Sequence, residues 1–160
     1  MNPFRKILVP VDFSDHSEHA VEVAADMARR YGATMTLVHV HQPVLYALPD
    51  SFILYPSEQL EGVLVVFREK LEAMKRALYA DGAMRIDTQV LVGIPVSSIV
   101  EHTKANQYDL IVMGTHGRTG VSHALIGSVA ERVVRKATCP VLTVRLTDGK
   151  ASAAPAAKEA

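Results

Sequence analysis

Five short apolar runs rich in β-branched residues punctuate the chain: Lys6–Val11, Thr34–His41, Arg85–Val92, Asp109–Met113 and Pro140–Arg145. Most are too short and too continuous for amphipathic helices, which predicts strands. Between them the apolar positions recur at helical spacing. In the first interval Ala20, Val21, Ala24, Met27, Ala28 and Tyr31 fall on one stripe. Ser14 is placed to cap that helix, Asp15 and Glu18 suit its positive end, and Gly32 stands where a left-handed C-cap is wanted. The second helix, about 57–80, places Leu60, Leu64, Phe67, Leu71, Met74 and Leu78 at alternating steps of four and three, and Asp81–Gly82 ends it. The third opens with Pro95, suited to a first helical position, and runs to about Asn106. The fourth opens at Ser128, where Ser128 and Glu131 read as a capping box ahead of Val129, Val133 and Val134. Regular alternation of strand and helix predicts an α/β fold with a single open parallel five-stranded sheet covered by helices on both faces, Rossmann-like in architecture.

Two segments stand outside this pattern. The stretch 42–56 carries prolines at 43, 49 and 56 and has the length of a functional or mobile connection, a lid or a partner surface. Residues 147–160 are alanine-rich and polar without periodicity and read as a disordered tail, leaving 1–146 as one domain. Proline has no N–H to give a central ladder. The first strand is therefore expected to stop near Val9, with Pro10, Val11 and Asp12 at its carboxyl end.

Composition narrows the class without naming a function. Across 160 residues, 49% are apolar, 21% are charged, and 17 residues of each sign cancel, as in an ordinary globular protein. That balance gives no electrostatic reason to expect nucleic acid or an acidic membrane as partner. No run approaches the ~20 apolar residues of a membrane span, and the N-terminal apolar stretch is too short for a signal peptide. Cys139 is the single cysteine, so internal disulfides are excluded and a cytoplasmic location is expected.

The most informative stretch is Gly114–Thr115–His116–Gly117–Arg118–Thr119–Gly120, directly after the apolar strand Leu110–Met113 and ahead of Gly127–Ser128. A glycine at a strand end lets a ligand approach the backbone, and glycines in the turn permit positive φ, so that N–H groups can converge on an anion. Gly127 and Ser128 sit at a helix start, where unpaired amides and the dipole attract phosphate. Glycines alone leave two readings open, turn chemistry and a phosphate loop. Asp12 is likewise open between a ribose acceptor and a residue that shapes a turn, and Arg118 between a phosphate contact and a solvated loop residue.

Gly114, two residues, Gly117, nine residues, then Gly127–Ser128 resembles the G-2x-G-9x-G-[ST] pattern of ATP-binding universal stress proteins. The resemblance extends to Ile7–Ser14, Leu37–Val40 and Cys139–Arg145. It implies the strand order 3-2-1-4-5, a homodimer joined through the last strand, and ATP as cofactor, with or without Mg or Mn. By the same resemblance the adenine lies near Pro10, Val11 and Val40, with Asp12 close to the nucleoside. The phosphates lie on the backbone that follows Met113, namely Gly114, Thr115, His116, Gly117 and Arg118, and on Gly127, Ser128 and Val129. Ala130 departs from members that carry a hydroxyl there, which puts a phosphate or metal contact in doubt. The implied role is a nucleotide-dependent stress-response regulator or binding module. The alternatives are a slow ATPase or nucleotide-dependent transferase, and a homodimeric scaffold with an empty pocket.

Other signals carry less. His39 and His41 share a strand face and His16 and His19 a helix face, yet periodicity alone makes such pairs and no cysteine or carboxylate completes a metal set. His116 reads as a phosphate neighbour or a surface residue, and Cys139 as a small apolar residue ahead of a redox thiol. No G-x-S-x-G elbow, no P-loop and no G-x-G-x-x-G after the first strand occurs, so no catalytic residue is assigned.

Overall fold

The computed structural model describes residues 4–43, 46–48, 51–53, 57–78, 84–115 and 126–146. Along them run β1 (Lys6–Pro10), α1 (Asp15–Tyr31), β2 (Thr34–His41), β3 (Tyr46–Leu48), β4 (Ser51–Ile53), α2 (Ser57–Leu78), β5 (Ile86–Val92), α3 (Pro95–Ala105), β6 (Leu110–Gly114), α4 (Ser128–Lys136) and β7 (Val141–Val144). The five predicted strands form one sheet in the order β5-β2-β1-β6-β7, which is 3-2-1-4-5 when only those five are numbered. Every neighbouring pair in it is parallel.

Strand alternation divides the core into two layers. Ile7, Val9, Met35, Leu37, Leu110 and Val112 face α1 and α2, while Leu8, Val38, Ile111 and Met113 face α3 and α4. Both faces are buried, which is why the strands read as unbroken apolar runs. Helix α1 presents Ala20, Ala24, Ala25 and Ala28 to the sheet, and these short side chains let its backbone lie close. Its ends match their sequence signals. Ser14 accepts a hydrogen bond from the Ser17 amide, and Gly32 closes the helix at φ 63° with its N–H on the Ala28 carbonyl.

Three details differ from expectation. The stretch 42–56 is more than a connection, because β3 and β4 pair antiparallel within it from Tyr46↔Ile53 to Leu48↔Ser51. Strands of three residues are too short to register as a periodic run beside prolines read as breakers. The first strand extends to Pro10, which pairs with Val38. A proline in the last strand position forfeits only its own missing donor, and Val11 resumes the pattern by donating to the Val38 carbonyl at 2.8 Å. Helix α4 has Gly127, not Ser128, as its N-cap, with no side-chain cap bond. Ser128 is thus a first-turn residue, and Glu131 bonds Arg135 at 2.9 Å instead of closing a capping box. Residues 81–82 and the tail 147–160 lie outside the described residues.

Because Gly32 holds a left-handed conformation, Gly32→Ala is expected to lower unfolding free energy by about 1 kcal/mol, read from urea midpoints.

Candidate functional site

In an open parallel sheet a crevice forms where successive crossovers leave in opposite directions. Here that place is the carboxyl end of β1, whose neighbours are β2 on one side and β6 on the other. A cleft of about 360 Å3 opens there, bounded by the ends of these strands and the N-termini of α3 and α4.

The cleft has an apolar end and an amide end. Val38 and Val40 of β2 with Pro95 and Ile99 of α3 line the first. Pro10, Val11 and Asp12 form the wall between the two ends, and Met113, Gly114 and Thr115 continue it along β6. At the far side stand Gly127, Ser128, Val129 and Ala130. Among the residues expected from the sequence, Pro10, Val11, Asp12, Val40, Met113, Gly114, Thr115, Gly127, Ser128 and Val129 meet in this one cleft. His116, Gly117 and Arg118 lie outside the described residues. Ser17, Val38, His39, Pro95 and Ile99 line the cleft without having been singled out for it, and Ala130, noted in the sequence for lacking a hydroxyl, lines it too. The alternation of β2 around Val40 would have pointed to Val38, two residues away on the same face.

Several backbone groups in the cleft are already engaged. The Thr115 amide donates to the Val144 carbonyl at 2.9 Å, and the Gly127 amide donates to the Thr115 carbonyl at 2.6 Å. These two bonds tie the start of α4 to the end of the sheet, and their amides do not serve an anion. The first bond of the α4 ladder runs from the Glu131 amide to the Gly127 carbonyl. Ser128, Val129 and Ala130 precede that ladder, so their amides have no intrahelical acceptor and no bond within the described residues. They stand at the positive end of the helix dipole, where an anion is stabilised.

Gly114 owes its identity to packing. A Cβ there would lie 2.9 Å from the carbonyl carbon and oxygen of His16, so the close approach that glycine permits is that of α1. Asp12 acts on the turn as well as lining the cleft. Its Oδ1 accepts from the Ser14 amide at 3.1 Å and the Ser14 hydroxyl at 2.6 Å, which holds the entry to α1.

The histidine pairs separate into different roles. His39 Nδ1 lies 2.7 Å from the Val11 carbonyl, and His19 Nδ1 lies 3.1 Å from Glu22. Among the described residues no cluster of three His, Cys, Asp or Glu suited to a metal ion occurs. Cys139 is half-buried, and burial, with the Asp109 carboxylate beside it, pushes its thiol above the usual range. That keeps it a protonated thiol at neutral pH. No helix of the described residues is long and apolar enough to cross a membrane.

A doubly wound sheet with such a cleft defines a broad class of α/β ligand-binding domains. Within it the chain belongs to the universal stress protein family, whose model matches residues 3–145. It is 36% identical over 148 residues to a universal stress protein of Methanocaldococcus jannaschii, covering 90% of this chain and 84% of that one. The structure is similar to the universal stress protein UspA from Lactobacillus plantarum, with a TM-score of 0.78, 30% identity and coverage of 89% and 98%. It is also similar to a universal stress protein solved in complex with cAMP, with a TM-score of 0.69, 26% identity and coverage of 91% and 99%.

Since His16 leaves no room beside Gly114, Gly114→Ala is expected to cost about 2 kcal/mol of stability in denaturant titrations, through displacement of α1.

Proposed function

We propose that this chain is an ATP-binding universal stress protein, a binding module whose nucleotide occupancy governs its response role. One observation carries the reading: the amides of Ser128, Val129 and Ala130 line the same cleft as the apolar surface of Val38 and Val40. A ligand suited to both ends has a flat, weakly polar heterocycle and an anionic tail, which is the chemistry of a nucleotide. The cAMP complex of a similar universal stress protein supports adenine as the base.

In this reading the adenine lies against Val40 and Pro10, with Val11 and Asp12 beside the nucleoside. The phosphates meet the first turn of α4 after Gly127, with His116, Gly117 and Arg118 as the further phosphate contacts that the family resemblance implies, with or without Mg or Mn. The site holds no assigned catalytic residue.

Saturating Mg-ATP, at roughly one hundred times Kd, is expected to raise Tm by roughly 5–10 °C. Small molecules released by heating the fresh protein should include an adenine nucleotide on chromatography. Absence of both effects contradicts the reading. Proline is well tolerated at a first helical position and removes one amide, so Ser128→Pro tests the anion site without unwinding α4. It should weaken ATP by about tenfold or more while adenosine affinity and the ligand-free Tm stay as in Ser128→Ala. Equal ATP affinity in the two variants would remove the α4 amides from the site.

The reading includes a homodimer through β7, an edge strand of the sheet. The carbonyls of Pro140 and Val144 point to β6, so by alternation the backbone groups of Val141 and Thr143 point to the open edge. Thr143→Pro should therefore spare the sheet and lower the sedimentation mass to that of one chain; an unchanged dimer would refute this interface.

A further inference from the structure

His39 is buried, at 7% exposure, and although it lines the cleft, the nucleotide reading assigns it no role. Its Nδ1 lies 2.7 Å from the Val11 carbonyl oxygen, which can only accept. Nδ1 must therefore carry the proton, and the imidazole donates to the peptide that forms the wall of the cleft. This bond fills a specific gap. The β1 ladder stops at Pro10, so beyond the Val11 amide, which donates to Val38, no strand partner among the described residues holds the buried Val11 residue. A side chain on β2 supplies one.

The same imidazole is held in an aromatic stack. Its ring centroid is 4.8 Å from that of Phe13 and 4.2 Å from that of Phe67 of α2. Phe13 and Phe67 stack at 5.8 Å and 7°, with the Lys70 ammonium 5.2 Å from the Phe13 ring centre. Phe13 holds φ 63°, a strained conformation for a bulky side chain, directly after Asp12. Surrounding contacts must over-determine such a residue for it to persist, and the stack provides them.

We infer that His39 is a positioning residue for the nucleotide site: its Nδ1–H fixes the Val11 carbonyl, and with it the Pro10–Asp12 wall against which the nucleoside binds. The inference rests on the nucleotide reading for its ligand, and on the 2.7 Å contact for its mechanism. Two substitutions separate the donor from the ring. His39→Asn keeps an N–H donor near the Nδ1 position and loses the aromatic packing; His39→Phe keeps a ring between Phe13 and Phe67 and loses the donor.

Each variant is compared with the wild-type chain by Mg-ATP titration and by amide exchange of Val11 and Ser14 in the ligand-free protein. His39→Phe should weaken Mg-ATP and reduce Val11 and Ser14 protection by about tenfold each, whereas His39→Asn stays within about threefold of wild type in both. A packing role alone reverses that order. The inference is overturned if His39→Phe matches wild type, or if His39→Asn falls as far as His39→Phe. A wild-type chain that binds no Mg-ATP sinks the nucleotide reading instead, and the exchange data on the free protein still decide whether His39 holds the wall.

Discussion

The reversal of strand order at β1 is the constraint from which the site follows. From β1 the chain winds outward through α1 to β2 and through α2 to β5, then crosses to the other side of β1 to lay down β6 and β7. Right-handed crossovers running in opposite directions must place α1 and α2 on one face and α3 and α4 on the other. The two sets of connections part above β1, and nothing in the sheet fills the gap. A cleft at that point is a consequence of topology before any side chain is chosen.

Side chains then decide what the cleft can hold. The sheet end is closed by the chain's own bonds, Thr115 to Val144 and Gly127 to Thr115, which fix where α4 begins. With a glycine N-cap lacking a side-chain acceptor, the α4 start keeps three amides pointed away from any internal carbonyl among the described residues. An aspartate or serine cap would satisfy one of them and compete with an anion. Gly114 works at one remove: by admitting the His16 backbone it brings the start of α1 against the end of β6.

The fold was legible because both layers obey simple periodicities. Unbroken apolar runs marked the five sheet strands, and Gly32, Ser14 and Pro95 marked helix ends by local backbone chemistry that tertiary packing did not override. The β3–β4 hairpin was not legible, since three-residue strands lie below the length at which alternation is readable. Pro10 was read as a strand breaker, although a terminal strand position costs nothing that proline had to offer. In the site, glycine spacing located the right segments but not their hydrogen bonds. Ser128 looked like a cap because S-x-x-E is a local pattern, whereas the start of α4 is set by a carbonyl twelve residues earlier in sequence, at Thr115. The part played by His39 was invisible for the same reason: its partner, Val11, just past the end of the neighbouring strand β1, is 28 residues away in sequence.

Amide NMR spectra of the 15N-labelled chain, titrated in parallel with ATP and with adenosine, address the central claim at the atoms concerned. The account predicts that the amide signals of Ser128, Val129 and Ala130 move with ATP and stay nearly still with adenosine, while Val38 and Val40 respond to both. Saturation by ATP with the α4 amides unmoved would contradict it.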